Sequence, residues 1–99
     1  MSEGLYILDG HNPVLCEDLL EWAKIFDKDR MVSVDQVGEV RISTVFLALD
    51  HSYGEGPPLV FETMIFGGVH DAAQERYSTW DEAEEGHKKA VELVRHTIS

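Results

Sequence analysis

Five histidines, one cysteine and a carboxylate inside an apolar strand are the residues of this 99-residue chain whose types invite chemistry. His11, His51, His70, His87 and His96 suggest a metal. None of their spacings is that of HExxH or a comparable ligand set, so no metal is expected. Asp50-His51 and His70-Asp71 fall near opposite ends of a strand pair and should not converge. Cys16 has no Gly-rich elbow beside it and reads as a buried, inert thiol, although a helix N-terminus close by is a feature that lowers a thiol pKa. A single cysteine makes neither an intrachain disulfide nor a thiolate zinc cluster. GxGxxG and GxxxxGK[ST] are both absent. Gly54-Glu55-Gly56 runs into prolines and a strand rather than a helix, so no phosphate cradle follows and no cofactor is expected.

Two further places could hold a site. Glu62 interrupts a central apolar strand. On a partly solvated face, beside Arg41 or a loop amide, it is a structural carboxylate; facing a pocket, it is an acid of raised pKa. Structural ion pairs also sit in strands, which favours the first arrangement. The loop 50–58 is better placed, because long loops between rigid strands are where binding residues concentrate. Asp50, His51, Tyr53 and Glu55 supply it with carboxylates, an ionisable ring and an aromatic.

These residues must be positioned by the stretch 40–68, the densest apolar material in the chain. Residues 40–49 (VRISTVFLAL) and 59–66 (LVFETMIF) are rich in β-branched and aromatic types that suit a pleated surface. Gly54, Gly56, Pro57 and Pro58 between them end any ladder. An antiparallel hairpin with a long loop is the simplest connection. Apolar residues on both faces predict cover on each side, with Val45, Phe46, Leu47, Leu49, Val60, Phe61 and Ile65 buried.

Upstream, residues 5–8 (LYIL) predict a short strand closed by the turn signal Asp9-Gly10, with His11-Asn12-Pro13 continuing the turn. A helix is expected over 15–27. Leu15, Leu19, Trp22, Ala23 and Phe26 have the spacing of one buried face, widened by Leu20 and Ile25. Residues 31–35 read as extended, either as a separate strand or joined to the next across a bulge at Gly38. Downstream, Gly67-Gly68 breaks the sheet and 76–78 suits an edge strand. Thr79-Trp80-Asp81-Glu82 is a capping box that opens a helix to about Arg95, with Ala83, His87, Ala90, Val91 and Val94 on one face. Gly86 in mid-helix costs up to ~1 kcal/mol against Ala and suggests a close helix–sheet contact.

The chain is thus expected to be a single α+β domain, 1–99: an antiparallel sheet of three to five strands built on a central hairpin, with two helices packed on it. No run of eighteen apolar residues occurs, so no membrane partner is expected. MSEGLYILDG lacks the basic and apolar regions of a signal peptide, which points to the cytoplasm. Nineteen acidic residues against eight basic ones give a net charge of −11, which disfavours direct nucleic-acid binding and suits a basic protein partner. Glu84 and Glu85 belong to the densest acidic set, in the last helix.

TVFLALDHSYGEGPPLVFETMIFGG followed by RYSTWDEAEEGH, with the opening LYILDGHNPV and the LLEWAKIF helix, resembles a group of small uncharacterised proteins encoded by bacteriophages and prophages. The resemblance covers nearly the whole chain and implies an accessory protein acting in the host cytoplasm; it carries over no site residues. The leading expectation is therefore a non-enzymatic protein that binds, and by binding inhibits, a host defence or metabolic protein. The alternatives are a small-molecule or nucleotide-binding protein that sequesters its ligand and, last, a small acid/base enzyme. Oligomeric state is not legible in the sequence.

Overall fold

A computed structural model describes residues 4–26, 30–52 and 56–98. Its centre is the expected hairpin. β4 (Val40–Phe46) and β5 (Phe61–Phe66) pair antiparallel, with Ile42 opposite Ile65, Thr44 opposite Thr63 and Phe46 opposite Phe61. Side chains alternate along a strand, so these three pairs share one face, and all six residues are buried. β3 (Met31–Val37) and β6 (Gln74–Tyr77) complete an antiparallel sheet in the order β3-β4-β5-β6. β3 is a separate strand, joined to β4 by a two-residue turn at Gly38-Glu39; the register irregularity lies at Met31/Ser33 instead of Gly38. Gly38 has φ +63°, the left-handed backbone that such a turn requires at its first central position.

α2 (Trp80–Ile98) crosses the buried face of this sheet. Its capping box forms as expected: the Glu82 amide donates to Thr79 Oγ1 at 3.0 Å, while Glu82 Oε1 accepts from the Thr79 and Ser78 amides. Val91 and Val94 pack with Val40, Ile42 and Ile65 at one end of the helix. Ala83 packs with Phe46, Ala48, Val60 and Phe61 at the other, where Trp80 meets Phe61 edge-on at 6.0 Å.

A second, two-stranded sheet is made by β1 (Tyr6–Asp9) and β2 (Asn12–Leu15). β2 departs from the expected turn and helix start: the turn closes within Gly10-His11, and the chain pairs back at once. Pro13 is tolerated because the strand is an edge. The hairpin stacks His11 face to face on Trp80, with ring centroids 3.8 Å apart. α1 (Leu19–Phe26) then begins four residues later than expected, with Asp18 accepting from the Leu20 and Glu21 amides. Only part of its apolar stripe is turned inward. Trp22 is half-buried and donates its indole N–H to the Ala48 carbonyl, whereas Leu15, Leu19, Leu20 and Ala23 are exposed. The side chains of Ile25 and Phe26 lie outside the described residues.

β4 ends at Phe46 rather than near 49 because Ala48 takes a left-handed backbone, φ +67°, which turns the chain out of the ladder. Its carbonyl then receives both Trp22 and the Tyr6 amide. Of the expected core, Phe46, Val60, Phe61 and Ile65 are buried, while Val45, Leu47 and Leu49 are only half-buried. For Val45 the cause is the sheet's other face, which α2 does not cover and where Val34 and Phe66 are exposed; Leu47 and Leu49 lie beyond the end of the strand. Among the described residues no helix is long and apolar enough to cross a membrane.

Candidate functional site

A groove of about 810 Å³ runs between α2 and the edge strand β6. One face of α2 forms a wall: Glu82, Glu85, Gly86, Lys89, Ala90 and Leu93 recur at helical spacing. Residues 73–78 form the other wall, Thr63 and Ile65 of β5 lie beneath, and Ser52, Pro57 and Leu59 close one end. Gly86 explains the approach of the two walls. A Cβ there would meet the Tyr77 hydroxyl at 2.1 Å, so only glycine lets the Tyr77 ring lie against the helix.

Beneath the groove the core is polar. His87 is almost fully buried, and its Nε2 lies 2.8 Å from Asp35 Oδ2 on β3. Its Nδ1 lies 2.7 Å from Thr44 Oγ1, which is hydrogen-bonded to Thr63 Oγ1. A row of hydrogen-bonded side chains therefore crosses three strands, from Asp35, half open to solvent, to Thr63 beneath the groove. Each buried polar group in the row has a partner, which is what makes such burial tolerable. Burial pushes the Tyr77 phenol up from its ordinary value of 10.0; the neighbouring Thr63 hydroxyl opposes this and the charge of Glu75 adds to it.

Asp35, His87 and Thr44 have the connectivity of a carboxylate–imidazole–hydroxyl triad, but the hydroxyl cannot act as a nucleophile. Thr44 is fully buried between sheet and helix, and no substrate carbon can approach it. What the row offers the groove is hydrogen bonding rather than covalent chemistry.

The charges of the groove are mainly acceptors. Glu75, Glu82 and Glu85 line it against Lys89 and Arg76. Arg76 is engaged elsewhere, its Nε 3.0 Å from Glu62 Oε2 on the neighbouring strand. That cross-strand pair is Glu62's place in the fold: a structural carboxylate on the half-solvated face, with Arg76 rather than Arg41 as its partner. The backbone of β6 is also available. Ala73 and Tyr77 turn their carbonyls to β5, so by alternation Gln74 and Arg76 direct their main-chain N–H and C=O away from the sheet.

The remaining sequence candidates are scattered around this site. Glu85 lines the groove, whereas Glu84 is exposed and does not. Asp50 organises the loop, its Oδ1 accepting from the Ser52 and Leu59 amides at 2.8 and 2.9 Å. Burial pushes its carboxyl up, but these amides, the Ser52 hydroxyl and His51 outweigh that and hold it below its ordinary 3.8. His51 is half-buried and donates its amide to the Leu59 carbonyl; Tyr53 and Glu55 lie outside the described residues. Cys16 is buried. His70 Nε2 lies 3.0 Å from Thr97 Oγ1 and His96 Nε2 3.2 Å from Glu92, and among the described residues no three His, Cys, Asp or Glu side chains converge as a metal site would require. Asp35, Thr44, Thr63, Tyr77 and the polar role of His87 were not singled out by the sequence reading. The signal for Asp35, Thr44 and Thr63 is a polar residue at an inward position on three successive strands of an otherwise apolar pattern, which implies that they pair with one another and with His87.

No protein-family model matches the chain, and no curated protein or solved structure is significantly similar to it.

Proposed function

We propose that the chain acts by binding, and that the groove between α2 and β6 takes an extended basic segment of a partner protein as a fifth strand of the sheet. The observation that carries this is the pairing of an open strand edge with a groove whose charges left over by the capping box and the Arg76–Glu62 pair are Glu75 and Glu85 against Lys89. A segment beside β6 would hydrogen-bond Gln74 and Arg76 through its backbone and insert alternate side chains beneath α2. From Glu82 to Leu93 the helix wall is about 16 Å long, room for four or five extended residues. Aliphatic stems meet Ile65, Ala90 and Leu93, and ammonium or guanidinium heads meet Glu75 and Glu85. The net charge of −11 supports steering of a basic partner. The resemblance to phage-encoded proteins supports a host cytoplasmic protein as the source of the segment, and its inhibition as the consequence.

The groove volume also falls within the roughly 300–1,000 Å³ of small-ligand sites, which favours a cationic small molecule as the second reading. A nucleotide fits less well, because its phosphates would face three carboxylates.

The test uses a capped hexapeptide alternating lysine and valine, with glutamate in place of lysine as control. Gln74→Pro removes one outward-facing N–H from an edge strand, where proline is tolerated. Wild type should bind the lysine peptide and not the glutamate one, and Gln74→Pro should weaken it at least tenfold with the fold intact. Binding unaffected by Gln74→Pro would replace strand addition by the small-ligand reading.

A further inference from the structure

The groove differs in character along its length. α2 runs antiparallel to β6, so both walls define each end. At one end Tyr77 pairs with Phe61 and reaches Gly86, one helical turn from the capping box at Glu82. In the middle Glu75 lies opposite Thr63, level with His87, and its side chain stands on the α2 side of the sheet. Glu85 lies on the helix wall to the near side of that level and Lys89 to the far side. At the other end the Ala73 carbonyl accepts from the Ile65 amide, and Ala90 packs on the cluster of Ile65, Val91 and Val94. Leu93, nearly half exposed, continues that apolar wall. From Tyr77 to Ala73 the groove therefore passes from two carboxylates, past one ammonium, to an aliphatic end.

We propose that the groove reads a basic residue followed two positions later by a large aliphatic one, in that order along the partner chain. This rests on an extended segment adding to β6, and it supplies the direction and the sequence of that segment. Gln74 and Arg76 each turn both N–H and C=O outward, which suits the paired bonds of an antiparallel neighbour; a parallel neighbour makes slanted, slightly weaker ones. An antiparallel segment runs from Tyr77 toward Ala73. Its residues opposite Gln74 and Arg76 point away from α2, and those opposite Glu75 and Ala73 point beneath it. The residue opposite Glu75 meets the carboxylates of Glu75 and Glu85, which selects lysine or arginine. Two positions later the side chain meets Ile65, Ala90 and Leu93, which selects leucine, isoleucine or methionine. Lys89, between the two places, repels a second cation at the apolar end. Reversed order would set the aliphatic side chain between carboxylates and the cation beside Lys89 on an apolar wall, wrong at both places.

The experiment compares two capped hexapeptides of one composition on the full chain, Thr-Thr-Lys-Thr-Leu-Thr and its reversal Thr-Leu-Thr-Lys-Thr-Thr. The lysine–valine hexapeptide serves as the control for occupancy of the groove. The lysine-first isomer should bind about tenfold more tightly than its reversal, the scale expected for burying one aliphatic side chain. Leu93→Ala, at an exposed position where the fold loses little, should remove most of that advantage and leave the reversed isomer unchanged. Glu75→Gln should weaken the lysine-first isomer, most visibly at low salt. Equal affinities, tighter binding of the reversed isomer, no binding of either isomer, or an advantage that survives Leu93→Ala overturns the proposal. If the lysine–valine peptide still binds in those cases, and Gln74→Pro still weakens it, strand addition stands without the order. Failure of all three peptides to bind removes the proposal together with the binding reading beneath it.

Discussion

Under the single helix α2, two kinds of contact meet the same face of the same sheet. At each end the layers are apolar: Ile42 and Ile65 with Val91 and Val94, then Phe46 and Phe61 with Ala83. Between them Thr44, Thr63 and His87 form a layer that is just as buried but entirely polar. The apolar ends gain from leaving water and need only shape. The polar layer gains little net energy, because each of its hydrogen bonds replaces one made to water, yet it is costly to leave incomplete. The difference teaches where stability and specificity reside. The ends hold helix to sheet, and the middle layer fixes which groups must meet one another between them.

Substitutions can sharpen that contrast. The largest effect is expected at the apolar end: Phe46→Ala or Phe61→Ala, removing a fully buried ring, should cost about 3–5 kcal/mol in denaturant unfolding. In the polar layer His87→Ala leaves Thr44 without its acceptor and should cost about 2–3 kcal/mol. Replacing the whole layer by Thr44→Val, Thr63→Val and His87→Leu together should cost less than His87→Ala alone, since no buried polar group is then stranded. A triple variant less stable than the single one would break the comparison, because the row would then be a net source of stability.

The smallest effect is expected outside the layer, at Asp50. Its folded pKa lies below the ordinary 3.8, so its contribution is present above that value and is lost as pH falls through the folded pKa. Asp50→Asn should flatten the acid side of the melting-temperature profile and leave the profile near neutrality almost unchanged. An identical acid limb in both proteins would mean that the loop amides do not bind the carboxylate selectively in the folded state.

The apolar ends of this structure were legible in the sequence because period and residue type agree there. Alternation placed β4 and β5, and the capping box with Ala83, Val91 and Val94 placed the inward face of α2. Gly86 signalled the close contact that Tyr77 makes. The polar layer was not legible because threonine is also an ordinary strand former, and a histidine on a helix stripe gives no sign of its partner 43 residues away. Periodicity also misled at α1. The spacing of Leu15, Leu19 and Ala23 names a face but not what covers it, and the chain spends 12–15 on a second hairpin before the helix starts. Val45 falls short of burial for a related reason: the pattern cannot tell that, among the described residues, α2 lies on one side of the sheet and no helix on the other.

The claim that the β6–α2 groove is the binding surface is tested most directly by titrating labelled protein with the lysine–valine hexapeptide and following each backbone amide by NMR. Strand addition predicts the largest shifts at Gln74 and Arg76, whose amides face outward, followed by Gly86 and Lys89 on the helix wall. Shifts centred on Leu19 and Leu20 of α1, or on Val34 and Phe66 of the uncovered sheet face, would contradict it.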